Sequence, residues 1–255
     1  MSKTSHSYVD QGKLYEVSCP EWTDTWHPIP HAIIVDQFNR ALETRGIGVR
    51  GRKIAVWGSD NNMGVPFGGN MHVTNTLDIP VGSGSRAGFI KFDYMSSVIK
   101  RFKLMGLGGI WKQICSNGMM GWSWMDVLAR KHTQKLDYDI LPTMMLDTVD
   151  AVVAQGHEVM DWQESLTKWY VNPDQFKILA FNMIDKGVLP VGSALKFRDA
   201  VAEETEYNYG YRTLYEIHSG VTQLLRDVHP GTVPLKNQKL KLVCDEFLND
   251  YKLAA

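Results

Sequence analysis

Three stretches of alternating hydrophobicity follow one another with no helical stretch between them: IGVRGRKIAVWG, GNMHVTNTLDIP and AGFIKFDYM. Each is bounded by glycine or a turn, as a half-buried strand requires. Parallel strands need a crossover of a dozen or more residues, usually a helix, so this order argues against a doubly wound sheet. SDNNMG supplies the turn of a hairpin. SSVIKRFKLMGLGG lacks a clean helical period and ends in glycines, so it is read as a further strand. Ahead of these, Ile33, Ile34, Phe38, Ala41 and Leu42 share one face of a helix that Gly46 closes.

Beyond residue 120 the period becomes helical. SWMDVLARKH reads as a short helix capped by Ser123, with Asp126 three residues on. The segment LPTMMLDTVDAVVAQGHEVMDWQESLTKWY reads as one long helix or two. Asn172-Pro173-Asp174-Gln175 is a strong helix start, with an asparagine cap, proline at the first position and glutamine at the third. That helix should stop at Gly187. Leu214, Ile217, Val221, Leu224, Leu225 and Val228 form another stripe, and QKLKLVCDEFLNDYKL a last amphipathic helix. The fold class expected is α+β: a mostly antiparallel N-terminal sheet and a C-terminal helical part. The division expected is a loose arm over 1–18 and one domain over 19–255, sheet-rich to about residue 120.

The 255 residues suffice for a real core. No run of 18 apolar residues suggests a membrane span, and the polar N-terminus has no signal-peptide core. Cys19, Cys115 and Cys244 are an odd and sparse set, which points to free thiols in a reducing compartment. Eight tryptophans are more than such a chain needs for packing alone.

Net charge is −1, but it is unevenly placed. Residues 86–135 carry nine basic side chains (Arg86, Lys91, Lys100, Arg101, Lys103, Lys112, Arg130, Lys131, Lys135) against Asp93 and Asp126. Residues 136–175 carry one basic and eight acidic side chains. The two segments could pair with each other. Alternatively, the basic one is a surface for a polyanion. Phe89, Phe92, Tyr94, Phe102, Trp111, Trp122 and Trp124 interleave with the cations, and aromatic faces stack on unpaired bases. In FIKFDY, Ile90, Phe92 and Tyr94 lie on one strand face and Phe89, Lys91 and Asp93 on the other, so one face belongs to the core. The DNA-binding set expected is therefore Arg86, Lys91, Lys100, Arg101, Lys103, Trp111, Lys112, Trp122, Trp124, Arg130, Lys131 and Lys135, acting on single strands rather than duplex.

Other chemistries fit less well. A nucleophile at Cys115 needs His132 within hydrogen-bond reach and a third orienting group. His27 and His31 have a ligand-like spacing with Cys19 upstream. However, Pro28 and Pro30 block the helix that would align them, and no second cysteine lies close by, so no metal and no cofactor are expected. VGSGSRAG matches no phosphate-loop pattern, although Arg86 at its edge could clamp a phosphate. The acidic stretch 137–164 could dock on a host protein.

ICSNGMMGWSWMDVLARKHT resembles the Cys-x-Asn-Gly … Arg-x-His-Thr signature of a phage- and plasmid-borne family of unknown function, over roughly residues 20–230. YRTLYEIHSGVTQLLRDVH resembles that family's closing helix, but Ser219-Gly220-Val221-Thr222-Gln223 departs from its pattern. Membership implies a mobile-element protein and carries over no enzyme activity. In that setting the chain is similar to single-stranded-DNA-binding transcription cofactors of podoviruses that carry a virion RNA polymerase. That similarity implies a non-OB fold, binding of unwound promoter DNA, a phage RNA polymerase as partner, and action in the host cytoplasm. Homo-oligomerisation is expected of a single-strand binder.

Overall fold

The computed structural model describes residues 6–82, 88–112, 125–132, 138–203, 212–225 and 228–252. Contacts divide the chain into two compact units, Met1–Pro80, Phe89–Gly108 and Met125–Gly156 in the first, Val81–Gly88, Gly109–Trp124 and His157–Ala255 in the second.

The first unit carries an antiparallel sheet of six strands in the order β1-β2-β3-β4-β5-β6. These are β1 (His6–Val9), β2 (Val49–Trp57), β3 (Asn70–Val81), β4 (Gly88–Ser97), β5 (Leu104–Lys112) and β6 (Met125–Arg130). Sequence order equals spatial order, as the absence of crossover helices among the strands dictates. Helix α1 (His31–Thr44) interrupts the series once, between β1 and β2. It ends before Gly46, whose φ of 65° is the left-handed conformation that suits glycine.

Alternation sends Ile54, Val56, Met71, Val73, Ile90, Phe92 and Tyr94 to one face, where they are buried. Helix α1 covers that face, and Phe38 lies 4.7 Å from the Phe92 ring and 5.1 Å from Tyr94. Helix α2 (Leu141–Leu166) is a single helix of 26 residues. It approaches the sheet closely at Gly156, where a Cβ would stand 2.5 Å from the tip of Ile90. Arg45 at the end of α1 grips Asp150 of α2 with both arms of its guanidinium, the Nε to Oδ1 distance being 2.7 Å.

Two expectations fail here. The arm expected to be loose over 1–18 is tied down across its described part, residues 6–18. β1 pairs with β2 from His6↔Trp57 to Val9↔Ile54, Leu14 is buried, and Tyr15 donates to Asp36. Where a helix was expected over SWMDVLARKH, Met125–Arg130 is strand β6, paired with β5 from Leu104↔Arg130 to Gly108↔Met125. A short segment beside an open strand edge gains more hydrogen bonds by joining it than its own weak helical preference supplies.

The second unit is helical. A two-strand ribbon of β7 (Tyr170–Val171) and β8 (Arg212–Thr213) accompanies α3 (Pro173–Asp185), α4 (Ala194–Glu203), α5 (Leu214–Leu225) and α6 (Val233–Lys252). The expected start of α3 is present in full: Asn172 Oδ1 accepts from the Asp174 and Gln175 amides, and Gln175 accepts from the Asn172 amide. Leu179, Met183, Phe197, Val201, Ile217, Val221, Leu240 and Val243 form the core.

Candidate nucleic-acid interface

In a meander the turns alternate between the two ends of the sheet. The β4–β5 turn therefore lies at the end where β6 finishes, and the Leu104↔Arg130 register sets them side by side. This gathers Lys100, Arg101 and Lys103 from the turn with Arg130 and Lys131 from the end of β6, all exposed. Ser97 Oγ fixes the turn by accepting from the amides of Ile99 and Arg101 at 3.3 and 3.0 Å. Lys100 holds a left-handed φ of 60°, a conformation a non-glycine residue adopts at some cost. None of these five cations forms an ion pair with another described residue.

The tryptophan-rich loop lies against the same end. Thr23 and Trp26 exchange backbone hydrogen bonds of 3.0 and 3.3 Å, which makes a tight turn. Trp22 and His27 flank that pair, so their rings meet, 4.4 Å apart and 12° from parallel. Tyr138 stacks on Trp22 at 5.8 Å and 19°. The His27 amide donates to the His132 carbonyl at 3.2 Å, and Lys100 Nζ stands 4.7 Å from the centre of the Trp26 ring. Trp26 is buried, whereas Trp22 is 48% exposed and Tyr138 42%.

Beneath the loop lie two buried histidines. His31 Nε2 donates to the Gly68 carbonyl at 3.1 Å, and His132 Nε2 stands 3.4 Å from Ser96 Oγ. Burial lowers each to a pKa of about 4, and the nearness of His132 depresses His31 further. The structure thus gives His132 a buried serine neighbour; Cys115 lies outside the described residues. Cys19, half-buried beside the Pro28 carbonyl, is pushed up to about 11 by burial. Such a thiol is a poor nucleophile at neutral pH.

Lys91 is a correction. It was expected on the basic surface, but it is 3% exposed and points into the sheet's second covered face. No side chain of β4 from Ile90 to Ser97 is exposed; both faces of this central strand are covered. Asp93, 1% exposed, accepts from His72 Nε2 and Thr74 Oγ1, both at 2.9 Å. Burial lowers the Lys91 amine to about 7 although Asp93 opposes the shift, and Lys53 adds to the lowering. A lysine so placed cannot reach a phosphate.

Of the remaining expected residues, Trp111 and Lys112 finish β5, at the opposite end of that strand from Lys103. Arg86, Trp122, Trp124 and Lys135 lie outside the described residues. The sequence reading missed Trp22, His27 and Tyr138. Their signal was two tryptophans in a polar loop fenced by Pro20, Pro28 and Pro30, where packing alone does not call for them.

Among the described residues no three His, Cys, Asp or Glu side chains converge as a metal site requires, and no helix is long and apolar enough to cross a membrane. Comparisons with models of known families, with curated proteins and with solved structures return no match.

Proposed function

We propose that this chain is a non-enzymatic protein that binds single-stranded DNA at the basic end of its sheet, largely without regard to sequence. The observation that carries this reading is the gathering of Lys100, Arg101, Lys103, Arg130 and Lys131, five exposed cations without ion-pair partners among the described residues, beside an exposed aromatic stack. Unpaired cations release counterions from a phosphate backbone and need no particular base sequence. Exposed rings favour strands whose bases have open faces. In this reading the protein works as an oligomer in the cytoplasm of a phage-infected host and recruits a phage RNA polymerase to unwound promoters. That wider role is supported by the resemblance of ICSNGMMGWSWMDVLARKHT to phage-borne sequences.

Binding of a labelled oligo-dT, followed by anisotropy over a range of salt concentrations, tests the reading. Affinity should fall steadily as salt rises. Absence of binding at low salt, or binding indifferent to salt, would overturn it.

A further inference from the structure

We infer that Trp22 and Tyr138, backed by His27, form a stacking site for an unpaired nucleobase whose flanking phosphates lie on the neighbouring cations. This deepens the proposed function and rests on it.

Three observations converge. The rings of His27, Trp22 and Tyr138 are near-parallel, with interplanar angles of 12° and 19°, so a flat ligand meets a flat surface. The loop that carries Trp22 is fixed before any ligand arrives: by the Thr23–Trp26 turn, by the bond from His27 to His132, and by the Trp22 Nε1 hydrogen bond to the Pro28 carbonyl at 3.3 Å. Little ordering cost then remains at binding. Finally, the loop touches the basic end through Lys100 on Trp26, so base and backbone contacts are within reach of one strand.

The same geometry says what the site does not read. The indole N–H is already given to Pro28, so Trp22 offers no donor to a base edge, and what the stack presents is ring face. Any base can occupy such a face. Glu21, Asp24 and Asp139 are chain neighbours of the stacked rings. A neutral base avoids their repulsion, and a phosphate would not.

The test compares an oligo-dT with a strand of equal length whose sugars carry no bases, on wild type, Trp22→Ala, Tyr138→Ala and Trp22→Phe, with circular dichroism to confirm folding. Wild type should hold oligo-dT about 5- to 150-fold more tightly than the abasic strand, the range that one stacked base gives. Trp22→Ala and Tyr138→Ala should shrink that ratio, while Trp22→Phe keeps most of it. Equal affinity of wild type for both strands would sink the stacking site and leave the phosphate-binding function standing. Failure of wild type to bind either strand would remove both. An unchanged ratio in folded Trp22→Ala would likewise overturn the assignment.

Discussion

A lysine amine buried in a sheet loses much of its affinity for a proton, because the charged form gives up more hydration than the neutral one. Lys91 is such a group, with a pKa of about 7 against an ordinary 10.5. Between those values the unfolded chain binds the proton more tightly, so this residue's contribution to stability rises from pH 7 towards pH 10.5 and is lost as pH falls through that window. Urea unfolding at pH 7 and pH 9 should show a larger gain at the higher pH for wild type than for Lys91→Met. The same variant should leave the salt dependence of DNA binding unchanged, since a buried amine neutralises no phosphate. The histidines beneath the tryptophan loop behave alike at lower pH. His31 and His132 titrate near 4 when folded and 6.5 when free. Their stabilising contribution is complete above pH 6.5 and is lost as pH falls towards 4. His31→Gln keeps a donor for Gly68 and has no proton to gain, so its stability should decline less steeply over that range in acid titrations followed by tryptophan fluorescence.

Elements form where local preference and tertiary demand agree, and α3 shows the agreement at its simplest. Asn172→Ala removes the acceptor for two helix amides and should cost ~1 kcal/mol in urea unfolding. Packing between α4 and α5 is governed by Gly220. A Cβ there would stand 2.9 Å from the backbone nitrogen and Cα of Val201, and backbone cannot step aside as a side-chain tip can. Gly220→Ala should therefore destabilise by ~1–3 kcal/mol, against the gain of ~1 kcal/mol that alanine brings to an exposed helix. The same contrast explains what could be read from the chain. β2, β3, β4, α1, α3 and α5 were legible because alternation, stripes and caps are local signals. β1 and β6 were not, because each is a strand only through its neighbour: β1 through β2, β6 through β5. The basic residues of the site were legible as a charge run. That Lys91 turns inward while Lys100, Arg101 and Lys103 turn outward was not, because the sequence pattern does not show that both faces of β4 are covered. Nor was the meeting of Trp22 with Tyr138, which only the folded chain brings together.

For the molecule as a whole, a net charge of −1 gives no general attraction to a polyanion. Any strong salt dependence must then come from a local concentration of cations, and its size counts them. On single strands each phosphate neutralised adds about −0.7 to the slope of log affinity against log salt. If all five cations at the sheet end engage the backbone, the slope should approach about −3.5. Replacing Lys103 and Arg130 together by glutamine should make it shallower by about 1.4. Lys196, exposed on α4 in the second unit, serves as the control, and Lys196→Gln should leave the slope where it was. Equal loss in both variants would mean that DNA is held diffusely by the whole surface. Selective loss at Lys103 and Arg130 would tie binding to the end of the sheet, because there the fold sets exposed cations from two neighbouring elements side by side, as the Leu104↔Arg130 register requires.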